Sequence, residues 1–268
     1  MLARRAPGLT PAERSALSAL PQDRVEIYSG MLRGNQATML DFVAPSTIEV
    51  LVKYGGGTRD DFARATLVET PRQSSRLREL AQRVVDHLRG AGAVHVERCP
   101  ALLDIARLDQ ASTEAFYAPD DEGSLTPPEF AEAVASATVE EALSLEVKRS
   151  SAVQIVAFDF DVEEWRVRRF AEGSWGPPPS RLDAPIDLLG TRDPGTLQPA
   201  WHRIDPVILA ILRDDALADW ASLEPLAGAW LEATGADSDD PNAPAHFFEQ
   251  VAHWVRDGVL VVRKPVAS

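Results

Sequence analysis

Apolar residues recur at helical spacing through most of the first 140 positions. Ile27, Met31, Met39 and Val43 stand four or eight apart and predict a helix over 24–43 that Pro45 ends. Ser46-Thr47-Ile48-Glu49 has the wording of a capping box, in which a hydroxyl and a carboxylate satisfy the free N–H groups of a helix start. Gly55-Gly56-Gly57 stops that short helix, since glycine takes the left-handed angles of a C-terminal cap. Thr58-Arg59-Asp60-Asp61 opens the next in the same capping style. Leu77, Leu80, Ala81, Val84, Val85 and Leu88 form one stripe and predict a helix over 76–88, with Arg76, Arg78, Glu79, Arg83 and Asp86 turned elsewhere. Pro100 opens a further helix carrying Leu102, Ile105, Leu108 and Phe116 as far as Ala118-Pro119. Thr126-Pro127-Pro128-Glu129 is a second capping box before a helix through Ala137. Helices joined by short links predict an all-α domain over residues 1–140.

The pattern changes near residue 142. Leu143, Leu145 and Val147 alternate with polar neighbours, as in a half-buried strand, and Val153–Phe160 is a second β-rich run. Trp165–Phe170 reads as a third strand or as a helix begun at Asp161. Residues 173–200 hold six prolines and four glycines and predict a long loop. Helices return at Pro206–Leu212, Leu223–Ala233 and Pro244–Arg256, and Gly258–Val262 closes as a strand. Residues 141–268 therefore predict a small α+β domain with a winged-helix-like order. The fold class expected for the whole chain is α+β, without internal repeats.

Composition narrows the function classes. The 268 residues are 45% apolar and 25% charged, the mix of a soluble globular protein, and no window resembles a membrane span. The first thirty residues lack a continuous apolar stretch, so no signal peptide is expected and the chain reads as cytoplasmic. Net charge is −14, unevenly spread: residues 1–100 hold 14 Lys and Arg against 11 Asp and Glu, whereas residues 101–268 hold 13 against 30. A nucleic-acid binder must neutralise phosphates, so the second half is disfavoured for that role.

Catalytic wording is sparse. Cys99 is the single cysteine, which excludes a disulfide framework and a cysteine-built metal site; Arg98 beside it would lower its pKa. His246 and His253 lie two helical turns apart, too far to share one metal, and only Glu249 is near. Acidic pairs such as Asp120-Asp121 and Asp239-Asp240 read as solvated surface. Serine-nucleophile motifs, P-loops and dinucleotide fingerprints are missing. No catalytic residue and no metal ligand is expected in this chain.

Two stretches carry a resemblance. Phe62-Ala63-Arg64 is followed by Glu69-Thr70-Pro71-Arg72-Gln73-Ser74-Ser75-Arg76-Leu77-Arg78-Glu79-Leu80 and by Val85-Asp86-His87-Leu88. Leu103-Asp104-Ile105-Ala106-Arg107-Leu108-Asp109 is followed by Ala115-Phe116-Tyr117-Ala118-Pro119-Asp120. These resemble the helical N-terminal domain of the HvfC/BufC family, often filed as DNA-binding, which is similar to the MbnC- and TglI-type partner proteins of ribosomal-peptide maturation. The resemblance covers residues 24–120, with departures at Ala65-Thr66-Leu67-Val68 and in 28–43; beyond 140 only the order of elements is similar.

The resemblance implies a non-catalytic subunit. Such proteins bind a TIM-barrel enzyme holding a multinuclear iron site, which oxidatively remodels cysteines of a precursor peptide, and they hold that peptide's leader or scaffold segment. The cofactor, iron, belongs to the partner. Two surfaces follow as expectations. Arg72, Arg76, Arg78 and Arg83 would meet enzyme carboxylates through guanidinium forks. A strand edge within 152–170 would accept the peptide as an added strand, with Phe158 and Trp165 filling pockets and Arg166, Arg168 and Arg169 meeting an acidic leader. Core packing is the competing reading for both aromatics. The rival functions are a nucleic-acid-binding regulator and an autonomous metalloenzyme using His246, Glu249 and His253.

Overall fold

The computed structural model describes residues 10, 34, 38–68, 77–172, 176–204, 206–213, 217–237 and 239–265. Among these, helical residues 38–43 lead into α1 (Pro45–Val50), which runs on as a π-helical turn over Leu51–Gly55. α2 (Arg59–Val68), α3 (Leu77–Arg89), α4 (Ala93–Arg98), α5 (Leu102–Phe116), α6 (Pro127–Ser136) and α7 (Val139–Leu143) follow. Then come β1 (Glu146–Arg149), β2 (Gln154–Phe160), α8 (Val162–Glu172), β3 (Arg181–Arg192) and β4 (Pro199–Arg203). The chain continues through α9 (Pro206–Arg213), β5 (Ala221–Ser222), α10 (Leu223–Thr234) and α11 (Ala243–Arg256) to β6 (Leu260–Arg263). The fold is mixed helix and sheet, with two antiparallel three-stranded sheets ordered β5-β1-β6 and β2-β3-β4. No helix among the described residues is long and apolar enough to cross a membrane.

Most helix starts and stops obey their local chemistry. Thr126 and Thr138 head true capping boxes with Glu129 and Glu141, and Gly56 ends the π-turn in the left-handed region. The apolar stripe of α3 is buried at Leu80, Ala81, Val84, Val85 and Leu88. Ser46–Glu49, however, is not a capping box. Pro45 occupies the first turn, Ser46 and Thr47 are inside the helix, and Glu49 pairs outward with Lys53 at 2.6 Å. The free N–H groups are served from another helix, by Asp109 of α5.

The expected loop over 173–200 is largely strand. β3 runs twelve residues, Arg181 to Arg192. Its prolines sit where a missing N–H costs little: Pro185 lies in the irregular stretch where pairing to β2 shifts, Pro194 in the hairpin turn, and Pro199 at the first position of β4. The hairpin closes with a bulge, in which Asp193 N–H donates to the Gln198 carbonyl at 2.9 Å and Leu197 N–H donates to the Asp193 carbonyl at 2.8 Å. Leu197 holds φ 60°, the left-handed position such a bulge requires. Trp165–Phe170 is helix, α8, whose start Asp161 caps by accepting from Glu164 N–H at 3.2 Å.

Two hydrophobic cores share the β2-β3-β4 sheet. The first gathers Leu40, Val43, Leu51, Phe62, Val84 and Ile105 from the helices, and Phe158, Trp165, Leu188 and Trp201 from later in the chain. The second gathers Phe130, Val147, Leu223, Phe247, Trp254 and Val262, with Leu189 from β3. Side chains alternate across a strand, so Val156 and Phe158 face the first core while Val153 and Ile155 face the second. Burial therefore does not divide at 140/141: Phe158, Trp165, Leu188 and Trp201 complete the helical core, while Phe130 joins the second. The change of pattern near 142 falls in α7, just before the first strand at Glu146, and the two cores meet on one sheet.

The seam is tied by polar bonds. Arg192, at the end of β3, donates to the Phe116 and Ala118 carbonyls and pairs with Asp120 at 2.7 Å. Asp121 is not solvated surface: it accepts from Lys148 at 2.7 Å and from Ser151. Burial alone would raise its pKa, but those bonds outweigh it and hold the carboxyl below its usual range. Gly258, at φ 71°, lies so close to the Arg192 carbonyl that a Cβ would stand 2.4 Å from that oxygen. Gly258→Ala is therefore expected to lower stability by about 1–3 kcal/mol. Thermal or denaturant unfolding checks it, and an unchanged midpoint would refute the close approach.

Candidate functional site

Helix α5 organises the site. It runs diagonally across the first-core face of β2-β3-β4, from Asp104 at the end of β2 to Ser112, whose Oγ accepts from Trp201 Nε1 at 3.0 Å. Asp104 and Asp109 sit among Leu102, Ile105, Ala106 and Leu108, and both are buried. Asp109 Oδ2 accepts from Thr47 N–H and Thr47 Oγ1, each at 2.8 Å, and so binds the start of α1. Burial raises its pKa from 3.8 to about 6, against the lowering effect of the Thr47 and Ser46 bonds. Asp104 Oδ2 accepts from the consecutive N–H groups of Asp159 and Phe160, at 2.7 and 3.1 Å, and Oδ1 pairs with Arg107 at 3.1 Å.

Two surfaces flank this helix. On one side, Met39, Phe42 and Val52 are 43%, 61% and 48% exposed, and Tyr54 is also exposed. Beside them lies a cleft of about 460 Å³ floored by Pro45, Ile48 and Val52. Its charged walls are already paired, Arg59 with Asp41 and Lys53 with Glu49. On the other side, β2 has, among the described residues, a strand partner only in β3, and Ala157 and Asp159 are exposed.

The expected site residues distribute unevenly over these surfaces. Arg72 and Arg76 lie outside the described residues. Arg78 is exposed on α3, whereas Arg83 on the same helix is half-buried and engaged. Phe158 and Trp165 are 1% and 2% exposed, so neither fills a peptide pocket; both pack in the first core, Phe158 edge-on to Trp201 at 6.0 Å and under Arg107. Arg166 is a strut: it donates to the Pro199 carbonyl at 3.1 Å. Burial lowers its pKa while the Asp109 charge raises it. Arg168 is exposed with Glu164 at 3.7 Å, and Arg169 is half-buried and engaged. Of the five peptide-facing residues expected, Arg168 alone is exposed to solvent.

The chemistry elsewhere is quiet among the described residues. Cys99 is buried, and desolvation pushes its thiol up rather than down, which corrects the expected effect of Arg98. His246, Glu249 and His253 are exposed on α11, and no group of three metal-ligating side chains converges. Asp104 and Asp109 were the informative residues. Their sequence signal is a carboxylate at core-facing positions of an apolar helix, which requires a partner.

Asp109 predicts a pH dependence. Its folded pKa lies above the unfolded value, so between about pH 4 and 6 the folded chain keeps a proton that the unfolded chain has released. Stability from this group is therefore greatest below pH 4 and declines as pH rises through 6. Asp109→Asn removes the titration, so the difference between variant and wild-type stability should grow in the variant's favour across that window. Denaturant unfolding at a series of pH values checks this, and parallel curves would refute it.

No family model matches the chain, and no curated protein matches it.

Proposed function

We propose that this chain is a non-catalytic partner subunit that binds an iron-dependent TIM-barrel oxidase and holds its precursor peptide, in support of oxidative modification of peptide cysteines. The observation that carries the reading is the exposure of the large apolar side chains Met39, Phe42, Val52 and Tyr54, of which Val52 lines a cleft whose charged walls are paired. Exposed apolar groups of this kind favour contact with another protein. The helical half meets the enzyme there and through the basic contact of Arg72, Arg76, Arg78 and Arg83, of which Arg78 is exposed. The α+β half, with its winged-helix-like order, meets the peptide at the β2 edge. The iron is the partner's, and the complex works in the cytoplasm. Nucleic acid fits poorly, because the half with the winged-helix-like order, residues 141–268, carries 21 acidic against 12 basic residues.

Co-expression of the tagged chain with its genomic neighbours tests the proposal. An iron-loaded subunit of barrel size should co-purify, and the chain made alone should carry no iron. Phe42→Asp or Val52→Asp should weaken that association at least about tenfold, a loss of roughly 1.4 kcal/mol. Arg78→Glu should weaken it less. Far-UV circular dichroism of the variants should stay native. A monomer without a partner, shifted by random duplex DNA in a salt-dependent way, would replace the proposal with the regulator.

A further inference from the structure

Among the described residues, φ lies in the left-handed region at Gly56, Gly123, Gly235 and Gly258, and at one residue with a side chain, Leu197 in the β3–β4 hairpin. A bulky residue is strained there, and such positions ordinarily hold glycine or asparagine. Burial does not offset the strain. Leu197 belongs to neither core and is 51% exposed. The loop nevertheless holds it firmly. Asp193 Oδ1 accepts from Thr196 N–H at 2.6 Å, from Thr196 Oγ1 at 2.9 Å and from Gly195 N–H at 2.9 Å. The Thr196 bonds above all hold the Asp193 carboxyl below its usual range. The base of the hairpin is fixed as well, by Arg192 on the Phe116 and Ala118 carbonyls and by the close approach of Gly258. Strain of this kind persists only where the surroundings determine it, and it gathers at active sites and ligand clamps.

What stands around the hairpin sets the chemistry of its partner. Arg192 joins the end of α5 to the hairpin base, and Tyr117 follows that end, 38% exposed and edge-on to Phe116 at 4.9 Å. Two exposed apolar side chains thus lie at one end of the molecule. The charges there are mainly acidic. Asp120, with its side chain 89% exposed, Glu122, Asp193 and Asp257 stand against two cations. Arg192 is engaged by Asp120 and the two carbonyls, and Arg256 donates to His253 Nδ1 at 3.2 Å. A second copy would bring like carboxylates together, and a phosphate surface would be repelled in the same way. A protein with an apolar pocket bordered by basic side chains fits.

We infer that the β3–β4 hairpin tip is a docking knob: Leu197 enters an apolar pocket bordered by lysine or arginine side chains on the iron-binding subunit, with Tyr117 as a second apolar contact. This rests on the subunit reading above and adds to it a further contact, at the other end of α5 from Asp104. The strain is retained because a leucine carried by a fixed loop projects fully into the pocket and loses little freedom on binding.

The test sets stability against association for the full chain. Leu197→Asn suits the left-handed region and removes the apolar tip, so its melting midpoint should rise by about 1–3 °C. Its affinity for the co-purified iron subunit, measured by isothermal titration calorimetry, should fall at least about tenfold. Leu197→Met keeps an apolar tip and should bind like wild type, and Tyr117→Ser should lose affinity to a smaller degree. Wild-type affinity should decline as sodium chloride is raised, since the carboxylates face basic groups. A lower midpoint in Leu197→Asn overturns the strain on which the inference stands. A loss in Leu197→Met as large as in Leu197→Asn overturns it too, because apolarity would then not matter. If wild type binds no iron subunit, the subunit reading falls and this contact with it. If wild type binds and Leu197→Asn binds equally well, this contact alone falls.

Discussion

A sheet packed on both faces through its middle is the constraint on which the rest of this molecule depends. The β2-β3-β4 sheet is covered on both sides, by α5 and α8 on one and by the second core on the other. Where both cores meet it the strand is apolar in both directions, which is why Val153-Gln154-Ile155-Val156-Ala157-Phe158 shows no clean alternation. The packed middle of such a sheet offers no face to a ligand. Its edges are what remain, and their polar backbone groups need either water or a partner.

Burying carboxylates on α5 is the second consequence. A helix crossing the middle of a core would ordinarily carry apolar residues alone, since an unpaired buried carboxylate is costly. Asp104 and Asp109 are tolerated because each meets backbone N–H groups that would otherwise lack partners: the strand end at Asp159 and Phe160, and the helix start at Thr47. Both needs arise from termination, one of a strand and one of a helix. The bonds are directional where apolar contacts are not, so they fix how β2 and α1 sit on α5 rather than merely that they pack.

How much of this was legible follows from the range of each cause. Helices over 77–89, 206–213, 223–234 and 243–256 were readable because caps, stops and stripes act within a few residues. The short α4 and α7 were missed, although Thr138 and Glu141 spell a capping box. The strand β3 was not readable, since composition counted its prolines without knowing that pairing fails at Pro185. Ser46–Glu49 misled for the opposite reason: a correct local signal was overridden by a carboxylate 62 residues away. For the site, Arg78 and Arg168 could be found as exposed charge. Phe158, Trp165 and Arg166 could not be told from contacts, because which face of β2 and α8 is covered depends on packing against the distant helix α5.

Preorganisation links the two surfaces. Asp104 and Asp109 are five residues apart on one helix, so the end of β2 and the start of α1 are held about 7.5 Å apart along its axis. Neither the apolar face beyond α1 nor the edge of β2 has to be assembled on binding, and fixed groups spare the entropy that ordering a loop would cost. The same rigidity restricts what each surface can recognise. In the proposed role the edge of β2 offers backbone groups rather than side chains, and the cleft beside Val52, its charges already paired, offers shape and apolarity. In that role selectivity would lie in fit, and the acidic balance of the second half adds a long-range bias against anions.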